Sequence, residues 1–103
     1  MRQMLEHARE AVAFARDRSR EDLDSDRLLE LALTRLLEIV GEAATRVSTE
    51  SRERVPDIPW PRVVALRNRL IHVYDSVDRD VLWRIVTSDL PPLIMALERT
   101  LHD

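Results

Sequence analysis

Lysine and cysteine are absent from this chain of 103 residues, glycine occurs once, and the aromatics are two tryptophans, one tyrosine and one phenylalanine. Without cysteine there is no disulfide framework and no thiolate metal site, a usage that suits a reducing cytosol. Apolar runs stop at five residues, as at Leu93–Leu97, far short of the roughly 18 that suggest a membrane span. No basic-then-apolar leader opens the chain, so the expectation is a soluble, cytoplasmic protein with no membrane partner. A strongly basic balance is also missing: the formal net charge is −3, which argues against sequence-blind clamping of nucleic acid over a whole face. A local basic patch remains open, because Trp60–His72 holds three arginines and no acid. The exclusive use of arginine for all sixteen basic residues carries no functional weight.

Apolar residues make up 45% and charged residues 34%, which favours a helical globular protein over a disordered one. The length suits one domain, 1–103, with a single core that buries roughly two-thirds of the unfolded surface. Polar breaks at Asp17–Asp26, Ser48–Pro61 and Asp75–Asp78 divide the chain into four helices. In the first, Met1, Met4, Leu5, Ala8, Ala11, Val12 and Ala15 recur at three- and four-residue spacing. The second opens at Ser25 or Asp26, either of which can cap it, and runs to about Val47. Its apolar set, from Leu28 and Leu29 to Val47, is wide enough to need more than one packing partner. Gly41, inside that helix, costs about 1 kcal/mol against alanine, so it predicts the close approach of another backbone. The third helix follows Pro61; the fourth starts near Asp78 and is expected to kink or split at Pro91-Pro92. The fold class expected is all-α, an antiparallel four-helix bundle with a short extra helix or kink.

Drawn as one continuous helix, the third segment puts Val63, Leu66, Leu70, Val73 and Val77 on a core stripe and Arg62, Arg69 and Ser76 toward solvent. On this map Tyr74 lies along the helix from Arg67, and Asn68 pairs with His72 at i, i+4. Val64 and Ile71 fall between these two pairs, off the core stripe. An apolar strip flanked by four polar groups suits a second protein surface, so a homodimer is expected with those groups around a shared cleft.

The side chains of this cluster can move protons and hold an anion. Histidine titrates near neutrality and can serve as base or acid, and a twofold dimer brings two copies of His72 to one cleft. Arg67 offers a planar, permanently charged fork that matches phosphate oxygens. Asn68 is suited to orient His72 or to donate to a bound anion, and Tyr74 lies on the Arg67 stripe of the same map. The Arg–His spacing alone decides nothing, since Arg2 and His7 repeat it in helix one. His7, His72 and His102 are too scattered for a metal site, no glycine-rich loop cradles a nucleotide, and no cofactor is expected. Each group also has a plainer reading: Arg67 paired with an acid across the bundle, His72 satisfied by a neighbour, Tyr74 an ordinary helix-end aromatic, Trp60 and Trp83 core or interface anchors.

"RNRLIHVY" (Arg67–Tyr74) resembles the R-N-x-x-x-H-x-Y signature of HepT-like toxins, HEPN-domain ribonucleases encoded beside a minimal nucleotidyltransferase antitoxin. "EIVGEAA" (Glu38–Ala44), "VPDIPW" (Val55–Trp60) and "LWRIVTSDLPPL" (Leu82–Leu93) resemble further segments of that family. Where the family often has a glycine shortly before the Arg-Asn pair, this sequence has Ala65 and Leu66. The resemblance implies a HEPN-like bundle, a homodimer with motif helices facing each other, and metal-independent endoribonuclease activity within a type II-like toxin–antitoxin system. It assigns catalysis to Arg67 and His72, with Asn68 and Tyr74 positioning the substrate. It further implies that the antitoxin neutralises the toxin by AMP transfer to Tyr74. The alternatives are a helical binding module that docks a nucleotidyltransferase without cutting RNA, and a plain dimeric scaffold.

Overall fold

The computed structural model describes residues 1–71 and 76–101. In chain order its elements are α1 (Arg2–Ala15), α2 (Asp22–Ser25), α3 (Arg27–Thr45), α4 (Thr49–Glu53), α5 (Trp60–Val64), α6 (Leu66–Leu70), α7 (Arg79–Arg84), a π-helical segment (Ile85–Asp89) and α8 (Leu90–Leu101). Four helical layers result: α1, α3, α5–α6 and the continuous α7–α8 rod, with α2 and α4 as short extra helices. This is the all-α bundle expected. Met4, Leu5, Ala8 and Ala11 of α1 join Leu33, Leu37 and Val40 of α3 and Leu90 and Leu97 of α8 in a single core cluster. Of the two candidate caps for α3, Asp26 is the one used: its Oδ1 accepts from the Leu29 N–H at 3.1 Å.

The far end of α3 is closed by Arg52, whose Nη2 donates to Ala44 O (2.9 Å) and Nε to Val47 O (3.1 Å). The same guanidinium lies 5.5 Å from the Trp60 ring centroid, and the buried indole donates to Val55 O. Trp60 is therefore a core anchor, and Trp83 is half-buried against the same core. Gly41 meets its expectation directly: a Cβ there would lie 3.2 Å from Val63 O and 3.3 Å from Leu66 Cβ, so α3 receives the α5–α6 backbone at this point.

Two expectations need correction. The third helix is not continuous to Val77. It is interrupted at Ala65 (φ −86°, ψ 8°) and ends at Leu70, after which Ile71 is extended (ψ 127°) and pairs with Val77 in an antiparallel bridge. The Asp78 N–H then donates to Leu70 O at 2.9 Å, holding the two ends together. Val77 keeps helical phase with the core stripe, but it and Ile71 are β-branched and have a stronger preference for extended backbone. Pro91-Pro92, in turn, does not split the last helix. Leu90 N–H reaches back five residues to Ile85 O, so the ladder changes register just ahead of the prolines and their missing donors fall at the opening of α8.

Candidate active site

The expected site residues divide into two groups. Arg67 and Asn68 stand side by side in α6 and are both exposed, whereas His72 and Tyr74 lie outside the described residues. The described residues on either side are held together: α6 ends at Leu70, Ile71 pairs with Val77, and the Asp78 carboxylate caps α7 through the N–H groups of Asp80 and Val81. Arg79 ties this corner to α3 by donating from Nε to the buried Glu30 at 2.9 Å.

Arg67 and Asn68 form one wall of an open groove of about 430 Å³, with Val64 beside them and Arg35, Glu38 and Glu42 of α3 opposite. The groove exists because Gly41, at its floor, lets the two helical layers meet without a side chain between them. Glu38 bridges two cations: its Oε2 is 3.5 Å from Arg67 Nε and its Oε1 is 3.7 Å from Arg35 Nη1. Glu42 faces Arg46 at 3.1 Å. The Arg67 side chain is 70% exposed, so this pair lies in the range of about 0–1 kcal/mol usual for surface ion pairs and is no reason in itself for Arg67 to be there. Arg67 thus has an acid partner, as its plainer reading proposed, but keeps a solvent-facing guanidinium.

A second cavity, about 330 Å³, opens on the other side of α5–α6. Its lining is mostly apolar, with Leu66, Ile85 and Leu93 among the contributors and Asp89 holding Arg62 (3.4 Å) and Arg69 (2.8 Å) at the rim. Neither Arg67 nor Asn68 lines it, and its arginines share one carboxylate, so the groove is the better candidate for phosphate chemistry. His7, the other half of the repeated Arg–His spacing, sits on α1 with Nδ1 donating to Gln3 O at 2.7 Å, remote from Arg67 in role. Val64 and Ile71, expected as the exposed apolar strip, are only partly buried, and Val64 packs on the core. Two larger apolar groups on α3 are exposed: Leu28 at 78% and Leu31 at 48%.

Sequence reasoning missed the acids of the groove. Glu38 and Glu42 are one helical turn apart on α3 and flank Gly41, and that pattern around a predicted backbone approach was the available signal.

The family model described as "Ribonuclease HepT-like" matches residues 4–100. The chain is 36% identical over 95 residues to "Putative RNase MJ1380" of Methanocaldococcus jannaschii, covering 92% of this chain and 87% of that one. It is 39% identical over 80 residues to "Probable ribonuclease HepT" of Thermococcus cleftensis, covering 78% and 73%. No solved structure matches. With nearly its whole length matched by the family model and both motif arginine and asparagine presented on the rim of an open groove, this chain belongs to the HepT-like ribonuclease family.

Proposed function

We propose that the chain, acting as one domain over 1–103, is a metal-independent endoribonuclease whose cleft is completed by a second copy of itself. The observation that carries this reading is Arg67: a largely exposed guanidinium on the wall of the groove, paired at Nε with Glu38, next to an exposed Asn68. In the proposed reaction a 2′-oxygen attacks phosphorus, the P–O5′ bond breaks, and the products are a 2′,3′-cyclic phosphate and a free 5′-hydroxyl. His72 from one protomer takes the 2′ proton and its counterpart supplies the proton to the 5′-oxygen. Arg67 balances the charge that builds on the phosphorane oxygens, a role typically worth about 3–4 kcal/mol. Asn68 and Tyr74 position the strand.

Support for the second copy comes from α3. Leu28 and Leu31 leave an apolar strip uncovered at the end of the helix that forms the groove, and the hydroxyl of Thr34, on the same outer side, is buried without a hydrogen-bond partner among the described residues. A self-complementary surface here is the expected kind of contact for a twofold dimer. The physiological setting we propose is a toxin held in check by a nucleotidyltransferase antitoxin, with AMP transfer to Tyr74 placing a bulky anion where it can compete with RNA for Arg67.

The experiment is cleavage of a defined RNA in excess EDTA. Wild type should leave cyclic-phosphate ends, and His72→Ala should lose about 10²–10⁴-fold in rate while keeping its melting temperature. Failure of the wild type to cut, or equal cutting by the variant, rejects the reading. A second reading, a non-catalytic module that docks a nucleotidyltransferase, draws on the two carboxylates in the groove, which oppose entry of a polyanion. Mass spectrometry of the co-expressed pair separates them: an adduct on Tyr74 together with toxicity of the unmodified chain supports the nuclease, docking without toxicity the module.

A further inference from the structure

A groove meant for phosphate gains no affinity from carboxylates, yet Glu38 stands against Arg67. The geometry explains its presence. Glu38 is the anchored member of the trio, 24% exposed on the long helix α3, while Arg67 and Arg35 are 70% and 66% exposed. Its Oε2 addresses Nε, the stem-side nitrogen of the Arg67 guanidinium, and this leaves the terminal Nη1–Nη2 fork without a partner among the described residues. Arg35 draws on the other carboxylate oxygen, so Glu38 is held from both sides. Gly41, three residues further along, brings the α5–α6 backbone close enough for the reach to succeed. An exposed arginine samples many rotamers; one held at Nε presents its fork in a restricted range of directions.

Taking the ribonuclease reading as premise, we propose that Glu38 is a positioning residue for Arg67, orienting its terminal fork toward the scissile phosphate at the expense of some affinity for RNA. The two effects have opposite signs, and that is what makes the role testable. In Glu38→Gln, loss of the negative charge should tighten RNA binding, by a factor that shrinks with added salt, because a repulsion near the strand is removed. Turnover should fall by about tenfold, since misplacing a charge-stabilising group by an ångström or so costs between that and a hundredfold. A merely structural Glu38 would lower the melting temperature and would not lower KM and kcat together.

The decisive measurement is a double-variant cycle on kcat with Arg67→Ala, an exposed residue whose removal leaves the fold intact. If Glu38 acts through Arg67, adding E38Q to R67A changes nothing further. Multiplicative losses, or E38Q turning over like a wild type that cleaves RNA, overturn the role and leave the ribonuclease reading standing. A wild type that cuts no RNA sinks both. Nitrogen-15 spectra of the arginine Nε–Hε groups supply a readout independent of cleavage: the signal assigned by its disappearance in Arg67→Lys should stand apart from the solvent-averaged arginines in wild type and join them in E38Q. No change in that signal also overturns the proposal.

Discussion

At the scale of single residues, Gly41 shows how a position without chemistry controls one that has it. Alanine there gains about 1 kcal/mol of helix propensity, but its methyl group would press on Val63 O and Leu66 Cβ at 3.2 and 3.3 Å. Overpacking of that kind costs about 1–3 kcal/mol, so the steric term wins. Gly41→Ala should lower stability by about 1 kcal/mol in denaturant unfolding, and Gly41→Val by more, because its branch adds volume against a backbone carbonyl. RNA cleavage by Gly41→Ala should fall as well, since the layer pushed outward carries Arg67 and Asn68. This residue was legible in advance. A lone glycine inside an otherwise strong helix conflicts with local propensity, and such conflicts mark places where tertiary contact decides. The acids beside it were not, because Glu38 and Glu42 read as an ordinary solvated face until the neighbouring layer is in place.

At the scale of elements, the helices that sequence periodicity locates well are those whose stripes run long and are built from good helix formers. α1 and α3 have both the spacing and good helix formers, and Asp26 closes the start of α3. The third helix misled for a physical reason: Val77 stays in phase with the core stripe, but hydrophobic phase does not register the β-branched preference of Ile71 and Val77 for the extended pairing that follows Leu70. The prolines misled in the opposite direction, since the wide turn at Ile85–Asp89 absorbs what an α-helix could not. Leu28 was assigned to the buried set because the apolar arc of α3 is broad; the arc is broader than the bundle can cover. The element that most directly frames the motif is α7, through its cap. Asp78→Ala removes both acceptor contacts to Asp80 N–H and Val81 N–H and should cost about 1 kcal/mol. Thermal melting should record that as a drop of about 4–8 °C for a domain of this size, whereas Asp78→Asn, which keeps an acceptor, should melt near wild type.

At the scale of the whole molecule, charge is distributed unevenly. Asp22, Asp24, Asp26 and Asp80 meet Arg18, Arg20 and Arg79 around α2 and the starts of α3 and α7. The Arg18 guanidinium holds the Asp26 carboxyl below its ordinary range, Arg20 does the same for Asp24, and the Ser19 N–H leads for Asp22. Lowered folded values mean that these carboxylates favour the fold above the unfolded carboxylate range of about 4 and that this contribution is lost as pH falls through and below it. Melting temperature should therefore be level near neutrality and decline below about pH 4, with Asp26→Asn starting lower and declining less. Added salt should blunt the difference, since these groups are open to solvent. Trp60 offers a last consequence. At the very start of α5, its buried indole lies beneath Arg52 and donates to Val55 O, so its emission senses how firmly the helical layer bearing Arg67 and Asn68 is seated. With Trp83→Phe silencing the other chromophore, the chain becomes its own fluorescent gauge, and a red shift on adding RNA or a protein partner would signal that occupying the groove loosens that seat.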